Sequence, residues 1–301
     1  MRPFALPPSA SELLERCTFP PPGTAVTCAV SGGPDSLALL VLAVAAGCEV
    51  TAVHVDHGLR RGSAAEADVV CRAAEAVGAA FRAEQVVVTP GPNLEARARE
   101  ARYGVLPPDV LTGHTADDQA ETVLLNLLRG SGRTGLSGMR AARRPMLRLR
   151  RDETRRVCDE LGWEPVEDPS NLDPSHRRNR VRHELVPLMS DIAQRDLVPL
   201  LTRQAELTRD EGELLDELAA TIDPTDAAAL TAAPVALARL AVRRWIREQT
   251  GGPHPPDAAA VERVLVVARG DVVATEVAGH RVARTAGRLR FESTPPTRSR
   301  V

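Results

Sequence analysis

The chain has 301 residues and a formal net charge of -2, long enough for one large domain or two ordinary ones and too close to neutral for a whole-surface affinity for nucleic acid. All 38 basic residues are arginine, so any polyanion must be met by a local patch of planar, permanently charged forks. Cys17, Cys28, Cys48, Cys71 and Cys158 are scattered without a CxxC, which argues against a disulfide frame or a zinc knuckle. With no secretory pattern and no apolar run of about 18 residues, the sequence predicts a soluble, cytoplasmic protein.

The first strong signal is Ser31-Gly32-Gly33-Pro34-Asp35-Ser36, set between a short Val- and Thr-bearing run, Ala25 to Val30, and a longer apolar one, Leu37 to Ala46. The first run reads as a buried strand and the second as a helix that accepts Pro34 in its first turn. Two glycines before a helix N-terminus can cradle a phosphate, because the first-turn N–H groups point at an anion. An ordinary strand-to-helix turn capped by Asp35 or Ser36 is the alternative from these six residues alone. Neither GxxxxGK[ST] nor GxGxxG is present.

Glu49 to Val55 predicts a second strand, ending in His54-Val55-Asp56-His57. Ser63 to Glu66 has the form of a capping box for a helix that Gly78 ends. Phe81 to Val88 is a third strand, Thr89 to Pro92 a turn, and Asn93 caps a helix toward Leu106. Asp109 to Thr112 is a short fourth strand, followed by Gly113-His114 and a helix to Leu128 with Asp117 and Asp118 in its first turn. Gly130 to Gly138 predicts a mobile loop. Asp152 to Leu161 and Arg177 to Met189 read as helices, with a turn from Glu167 to Asn171 between them. Leu197 to Ala220 reads as a long linking helix. Two further helices, Pro234 to Gln249 and Asp257 to Ala268, precede two strand-like runs, Val272 to Val277 and Arg281 to Phe291, and the tail after Ser293 reads as disordered.

This alternation predicts an α/β fold: a doubly wound parallel sheet in residues 1–192 and a smaller, mainly helical domain in 193–301. Sites in such sheets lie beyond the carboxyl ends of the strands, where three motif-bearing segments converge. His114 and Asp118 are four apart on a helix start, so both can face the phosphate loop. With Asp35 they supply a base and two hard oxygen ligands of the kind Mg²⁺ takes beside phosphates; the plain alternative is that the acids only complement the helix dipole. His54 and Asp56 share a strand face, which suits orienting a nucleotide better than ligating a metal. From Arg129 to Arg156 ten arginines stand against two acids, leaving +8, which fits a polyphosphate partner. A mixed cluster, Arg177, Arg178, Arg180 and Arg182 beside Asn171 and Asn179, suits specific polar recognition.

Taken together, SGGPDS at Ser31, HVDHGLR at His54, LEARAREARY at Leu94, GHTADDQAETVLLNLLRGSGRTGLSGM at Gly113 and EDPSNLDPSHRRNRVRHELVPL at Glu167 strongly resemble the tRNA(Ile)-lysidine synthetases of the PP-loop ATP pyrophosphatase superfamily. The first motif is superfamily-wide, whereas the Gly113 and Glu167 stretches are specific to the lysidine enzymes. The resemblance covers residues 25 to 190; Cys158 stands where the family pattern has an aromatic residue, and the length matches the shorter family form. It implies an adenine nucleotide alpha hydrolase-like fold and an ATP-dependent ligase acting on cytidine 34 of a tRNA(Ile) with a CAU anticodon. The base is adenylated at its C2 oxygen with loss of pyrophosphate, and free L-lysine then displaces AMP to give lysidine, which switches decoding from AUG to AUA. By the same resemblance Ser31, Gly32, Gly33, Pro34, Asp35, Ser36, Asp56 and His57 bind ATP, Asp35 and Asp118 hold Mg²⁺, and Asp35, His114 and Asp118 are catalytic. Asp117, Glu121 and Arg129 then line the lysine and cytidine side, Asn171, Arg177, Asn179 and Arg182 contact substrate or tRNA, and the C-terminal domain binds tRNA. Oligomeric state is left open, a homodimer being one option. Two other readings on the same fold are a tRNA thiolase, which needs paired cysteines, and a non-catalytic tRNA- or ATP-binding module.

Overall fold

The computed structural model describes residues 6–56, 58, 63–87, 94–251 and 256–293. His57, the Thr89 to Pro92 turn, Asn93 and the tail beyond Ser293 lie outside the described residues. By internal contacts the chain divides into two compact units, Met1–Glu206 and Leu207–Val301.

The first unit runs α1 (Ser9–Leu14), β1 (Ala25–Ala29), α2 (Pro34–Ala45), β2 (Glu49–Asp56), α3 (Ser63–Val77), β3 (Ala80–Gln85), α4 (Leu94–Val105), β4 (Leu111–Thr112), α5 (Ala116–Leu128), α6 (Arg133–Leu136), α7 (Arg151–Glu160), α8 (Arg177–Arg180), a π-helical turn (Val181–Leu185) and α9 (Val186–Ala193). Its four strands are parallel in the order β3-β2-β1-β4. The chain therefore builds outward from β1 through β2 to β3 and then returns to the other side of β1. That reversal places the crevice between the ends of β1 and β4.

Helix α2 is the centre of the core. Pro34 starts it, Leu and Ala fill it, and every residue from Ser36 to Ala43 is buried. Leu37, Leu39, Leu40 and Leu42 are fully enclosed, each contributing roughly 1.5–3 kcal/mol. At its far end Cys48 N–H donates to the Ala43 carbonyl at 3.1 Å across Gly47, whose φ of 80° only glycine takes without strain. The helix is thus held at both ends, which fixes where its first turn meets the Ser31–Ser36 loop.

Five expectations need correction. Strand β3 stops at Gln85 because its partner β2 ends at Asp56 in the register, and β4 is only two residues long. The Gly130–Gly138 stretch is not a bare loop: it holds α6, Asn126 Nδ2 donates to the Gly135 carbonyl at 2.8 Å, and buried Gln119 brackets the backbone of Met139 at 3.1 and 2.7 Å. Arg177 to Met189 is helical but takes a π turn at Val181–Leu185.

The last correction lies in the second unit, where the Arg281 to Phe291 run is two strands. There α11 (Ala227–Ala232), α12 (Val235–Thr250) and α13 (Ala258–Arg269) accompany an antiparallel sheet of β5 (Ala274–Val277), β6 (His280–Thr285) and β7 (Arg288–Ser293). Both hairpins close through Ala-Gly pairs, Ala278-Gly279 and Ala286-Gly287, with positive φ at both residues, the geometry of a type I′ turn. Alanine at the first position hid the second hairpin. Trp245 and Phe291 meet edge to face at 5.4 Å within this unit's core. Helix α10 (Val198–Ala220) carries the chain across the division between units.

Candidate active site

The loop after β1 is shaped by its own serines. Ser36 Oγ donates to the Gly33 carbonyl at 2.9 Å and accepts from the Ser31 N–H at 3.1 Å, so the loop closes over the first turn of α2. Gly32 has φ of 88° and lies under Val166, and the Val166 N–H donates to its carbonyl at 2.9 Å. A side chain at Gly32 would strain the backbone and meet the Val166 methyl at 3.0 Å. Below the loop, His54 is buried and its Nδ1 bonds the Val30 carbonyl at 3.1 Å, tying β2 to the point where β1 enters the loop.

The loop after β4 comes directly against this one. A Cβ at Gly113 would stand 2.6 Å from the Asp35 carbonyl oxygen, so only glycine lets the two loops touch. His114 follows, with Nδ1 at 2.8 Å from Thr112 Oγ1, whose hydroxyl can donate to the Arg143 carbonyl at 3.2 Å. Thr115 then opens α5: its N–H and hydroxyl donate to Asp118 Oδ2 at 3.0 and 3.2 Å. The capping bonds fix Asp118 Oδ2 and leave Oδ1 to accept from Arg151 at 3.0 Å.

A lattice of arginines from the start of α7, from α8 and from the π turn meets these acids. Arg151 alone reaches three carboxylates, Asp118 at 3.0 Å, Glu121 at 3.2 Å and Asp35 at 3.6 Å. Glu121, 2 % exposed, also takes Arg182 at 2.7 Å and Arg178 at 3.1 Å. Asp117 accepts from Arg150 at 3.2 Å and from the Arg151 N–H at 2.9 Å. Thr154 donates to Asp35 Oδ1, and Cys158 is enclosed against the Pro34 carbonyl at 3.7 Å, so α7 braces the start of α2. Burial pushes the Cys158 thiol up to about 12.

The two facing aspartates are tuned apart. Burial raises Asp35 to about 6; the charge of Asp118 adds to this, while Thr154 and Arg151 oppose it. Burial also works against the charge of Asp118, but Arg151, His114 and the Thr115 N–H outweigh it and hold this carboxyl below the usual range. The two carboxylates share one guanidinium, that of Arg151.

Asp35, His114 and Asp118 therefore converge at the β1/β4 crevice, with Ser31, Gly32, Gly33, Pro34 and Ser36 forming its floor. Asp56 accepts from the Gly58 N–H at 2.8 Å at the end of β2. Asp117, Glu121 and Arg182 belong to the ionic lattice. Asn179 is buried, and its amide donates to the Ser170 and Asp173 carbonyls at 2.7 and 2.9 Å, so its donors brace the turn that presents exposed Asn171. Arg129 and Arg177 are exposed. The basic run is weaker than its count, because Arg148, Arg150, Arg151, Arg155 and Arg156 each have a carboxylate partner. Sequence reasoning missed Thr154, Thr115 and the distinct role of Arg151. Thr154 sits in the buried stripe Thr154, Val157, Cys158 of an otherwise charged helix, a polar residue in an apolar row that could have flagged it.

The PP-loop domain matches residues 9–189, and the TilS substrate binding domain matches residues 226–290. The tRNA(Ile)-lysidine synthase of Nocardia farcinica is 41% identical over 271 residues, covering 84% of this chain and 85% of that protein. This chain belongs to the tRNA(Ile)-lysidine synthase family. Its members from Rhodococcus erythropolis (44% identical, 75% of this chain and 74% of that protein) and Salinispora tropica (39% identical, 90% and 91%) agree. A U34-tRNA thiolase, NcsA from Methanococcus maripaludis with its [4Fe-4S] cluster, shares the fold at a TM-score of 0.54 and 15% identity, covering 67% of this chain and 78% of that one. In this lysidine synthase family member the five cysteines are free and separate, and no group of three metal-ligating side chains gathers among the described residues.

Proposed function

We propose that the protein carries out the reaction its family is named for, joining lysine to C2 of cytidine 34 in tRNA(Ile) with a CAU anticodon at the expense of ATP. The observation that carries this reading is the meeting of the Gly113 loop with the Ser31–Ser36 loop. It brings His114 and Asp118, from the stretch specific to the lysidine enzymes, onto the nucleotide site common to the superfamily.

The C2 oxygen of cytidine attacks the α-phosphorus of ATP, and the bond to the β-phosphate breaks. The pyrophosphate charge is taken up by backbone N–H groups of the Gly32–Asp35 turn, since Pro34 has none and the Ser31, Ser36 and Leu37 N–H groups already donate to Ser36 Oγ and the Gly33 carbonyl. No Walker lysine is needed, because the group transferred is AMP and the anion to be held is the leaving one. Asp35 and Asp118 would hold Mg²⁺, which supplies charge neutralisation to the phosphates. The ε-amino group of lysine then attacks C2, AMP departs, and His114 is the base placed to take the amine's proton. Glu121 and Asp117 act here by orienting Arg151, Arg178, Arg182 and Arg150. Cytidine 34 must leave the anticodon stack to reach this crevice, and Arg129, Arg177 and Asn171 are the exposed side chains that meet the RNA beside it. The second unit binds the body of the tRNA, and the work of such an enzyme lies in the cytoplasm. Among the described residues no helix is long and apolar enough to cross a membrane.

The test is transfer of labelled lysine to a CAU-anticodon tRNA(Ile) transcript with ATP and Mg²⁺. The expected result is incorporation that disappears when cytidine 34 is replaced by uridine. Incorporation that ignores that change, or thiolation of the same transcript with a sulfur donor and none with lysine, would overturn the reading.

A further inference from the structure

Beside the crevice, the C-terminal half of α5 and the α8–α9 segment leave an open groove of about 470 Å³, the size of a small-ligand site. Its walls are apolar: Leu125 and Leu128 face Val181, Leu185 and Leu188. Leu128 is 67% and Leu188 55% exposed, so the apolar surface lies open rather than in the core. The rim is cationic. Arg129 stands on one side and Arg177 on the other, and among the described residues neither forms an ion pair, while Arg180 is neutralised by Glu184 at 2.8 Å.

The groove is built by helices that also build the site, through different residues of each. The helix through the π turn directs Arg178 and Arg182 onto Glu121 and directs Arg177, Val181 and Leu185 onto the groove. On α5, Leu125 follows Glu121 by one turn and Leu128 by two, about 6 and 10 Å along the axis. An occupant of the groove is therefore the immediate neighbour of whatever sits beside Asp118 and Glu121.

We infer that this groove receives the nucleotide next to the reacting cytidine, adenosine 35, with its base against the leucines and its phosphates on Arg129 and Arg177. The inference rests on the proposed function and goes beyond it by adding a second base-binding site to the lysidine reaction. Apolar walls below a pair of unneutralised guanidiniums match an unstacked nucleotide, flat and apolar on its faces and anionic along its backbone. A base drawn into the groove also keeps cytidine 34 from restacking on it, so the groove favours the extruded conformation.

The test uses the full-length protein and a tRNA(Ile) transcript with 2-aminopurine at position 35. Binding to wild type is expected to raise the 2-aminopurine fluorescence as the base leaves the stack. Leu128→Glu with Leu188→Glu, both at exposed positions, is expected to abolish the rise and weaken transcript binding about ten-fold or more, with ATP affinity and Tm unchanged. Leu188→Ala, a milder change, should lower both effects in the same direction. Arg129→Gln with Arg177→Gln should reduce the salt slope of binding by about two. If wild type modifies the transcript but the double glutamate variant binds it equally well with the same rise, the groove assignment fails and the function stands. Loss of self-association with tRNA affinity unchanged would give the groove to a second copy and overturn the assignment. If wild type neither binds nor modifies the transcript, both readings fall.

Discussion

Glu121→Ala is expected to lower stability by about 3–5 kcal/mol and Tm by roughly 10 °C, and to abolish lysine transfer. The size follows from where the charge sits. Glu121 is 2 % exposed and shares its two oxygens among Arg151, Arg178 and Arg182 at 2.7–3.2 Å. Removing it takes the carboxylate from Arg178 and leaves Arg151 and Arg182 to share Asp118, with Asp35 beyond it at 3.6 Å from Arg151. Solvent reaches the three arginines only in part, since their side chains are 27%, 37% and 21% exposed. Glu121→Gln keeps the volume and two of the acceptor contacts, so its loss should be smaller, with the arginine positions still disturbed. Urea unfolding of both variants checks this, and an unchanged midpoint for the alanine variant would show that the three arginines relax into water without cost.

The second large effect has opposite signs for activity and stability. Asp35→Asn is expected to reduce lysine transfer by about 10²-fold or more, since the group facing the phosphate loop loses its charge. In buffer free of ATP and divalent ions at pH 7.5, the same variant is expected to melt roughly 3–5 °C above wild type. Burial raises the Asp35 carboxyl from 3.8 to about 6, so the fold favours its neutral form. A group raised in this way supports the fold below its unfolded value and loses that support as pH climbs through about 6. At pH 7.5 wild type therefore carries a penalty that asparagine does not. The gap should close as pH falls toward 4. Around Asp35 the groups that set this balance are Asp118, Arg151, Arg182 and Thr154, and none of the four changes between the two proteins. Equal melting temperatures at every pH would contradict the assignment, whereas a stabilised but inactive variant would show a site whose strain serves catalysis.

Much of the fold was legible because the chain punctuates itself locally. Pro34, Gly47 and Gly78 stand where helices begin and end, and the order of strands and helices predicts the parallel sheet. The second hairpin of the C-terminal unit was hidden because Ala286 occupies a positive φ usually held by Asn, Asp or Gly. The Gly130–Gly138 stretch looked mobile because what holds it comes from elsewhere: Gln119 is 20 residues from Met139. The candidate site was legible as far as strand ends could carry it. Asp35, His114 and Asp118 all follow a strand terminus, so topology alone brings them together. Thr154 and Arg151 could not be placed this way. The bond from Thr154 to Asp35 spans 119 residues, and nothing in either segment announces the other. The arginine run misled for a related reason. Charge counting sees signs but not partners, and half of these arginines bind carboxylates of their own chain.

The central claim is that the Ser31–Ser36 loop holds pyrophosphate while AMP passes to the RNA base. The most direct measurement is the fate of ATP labelled at the α-phosphate, incubated with Mg²⁺, lysine and the CAU-anticodon tRNA(Ile) transcript. Label recovered as AMP, in amounts equal to the lysine incorporated and absent without the transcript, is the result expected. Label recovered as ADP, or AMP formed equally well on a transcript lacking cytidine 34, would contradict it.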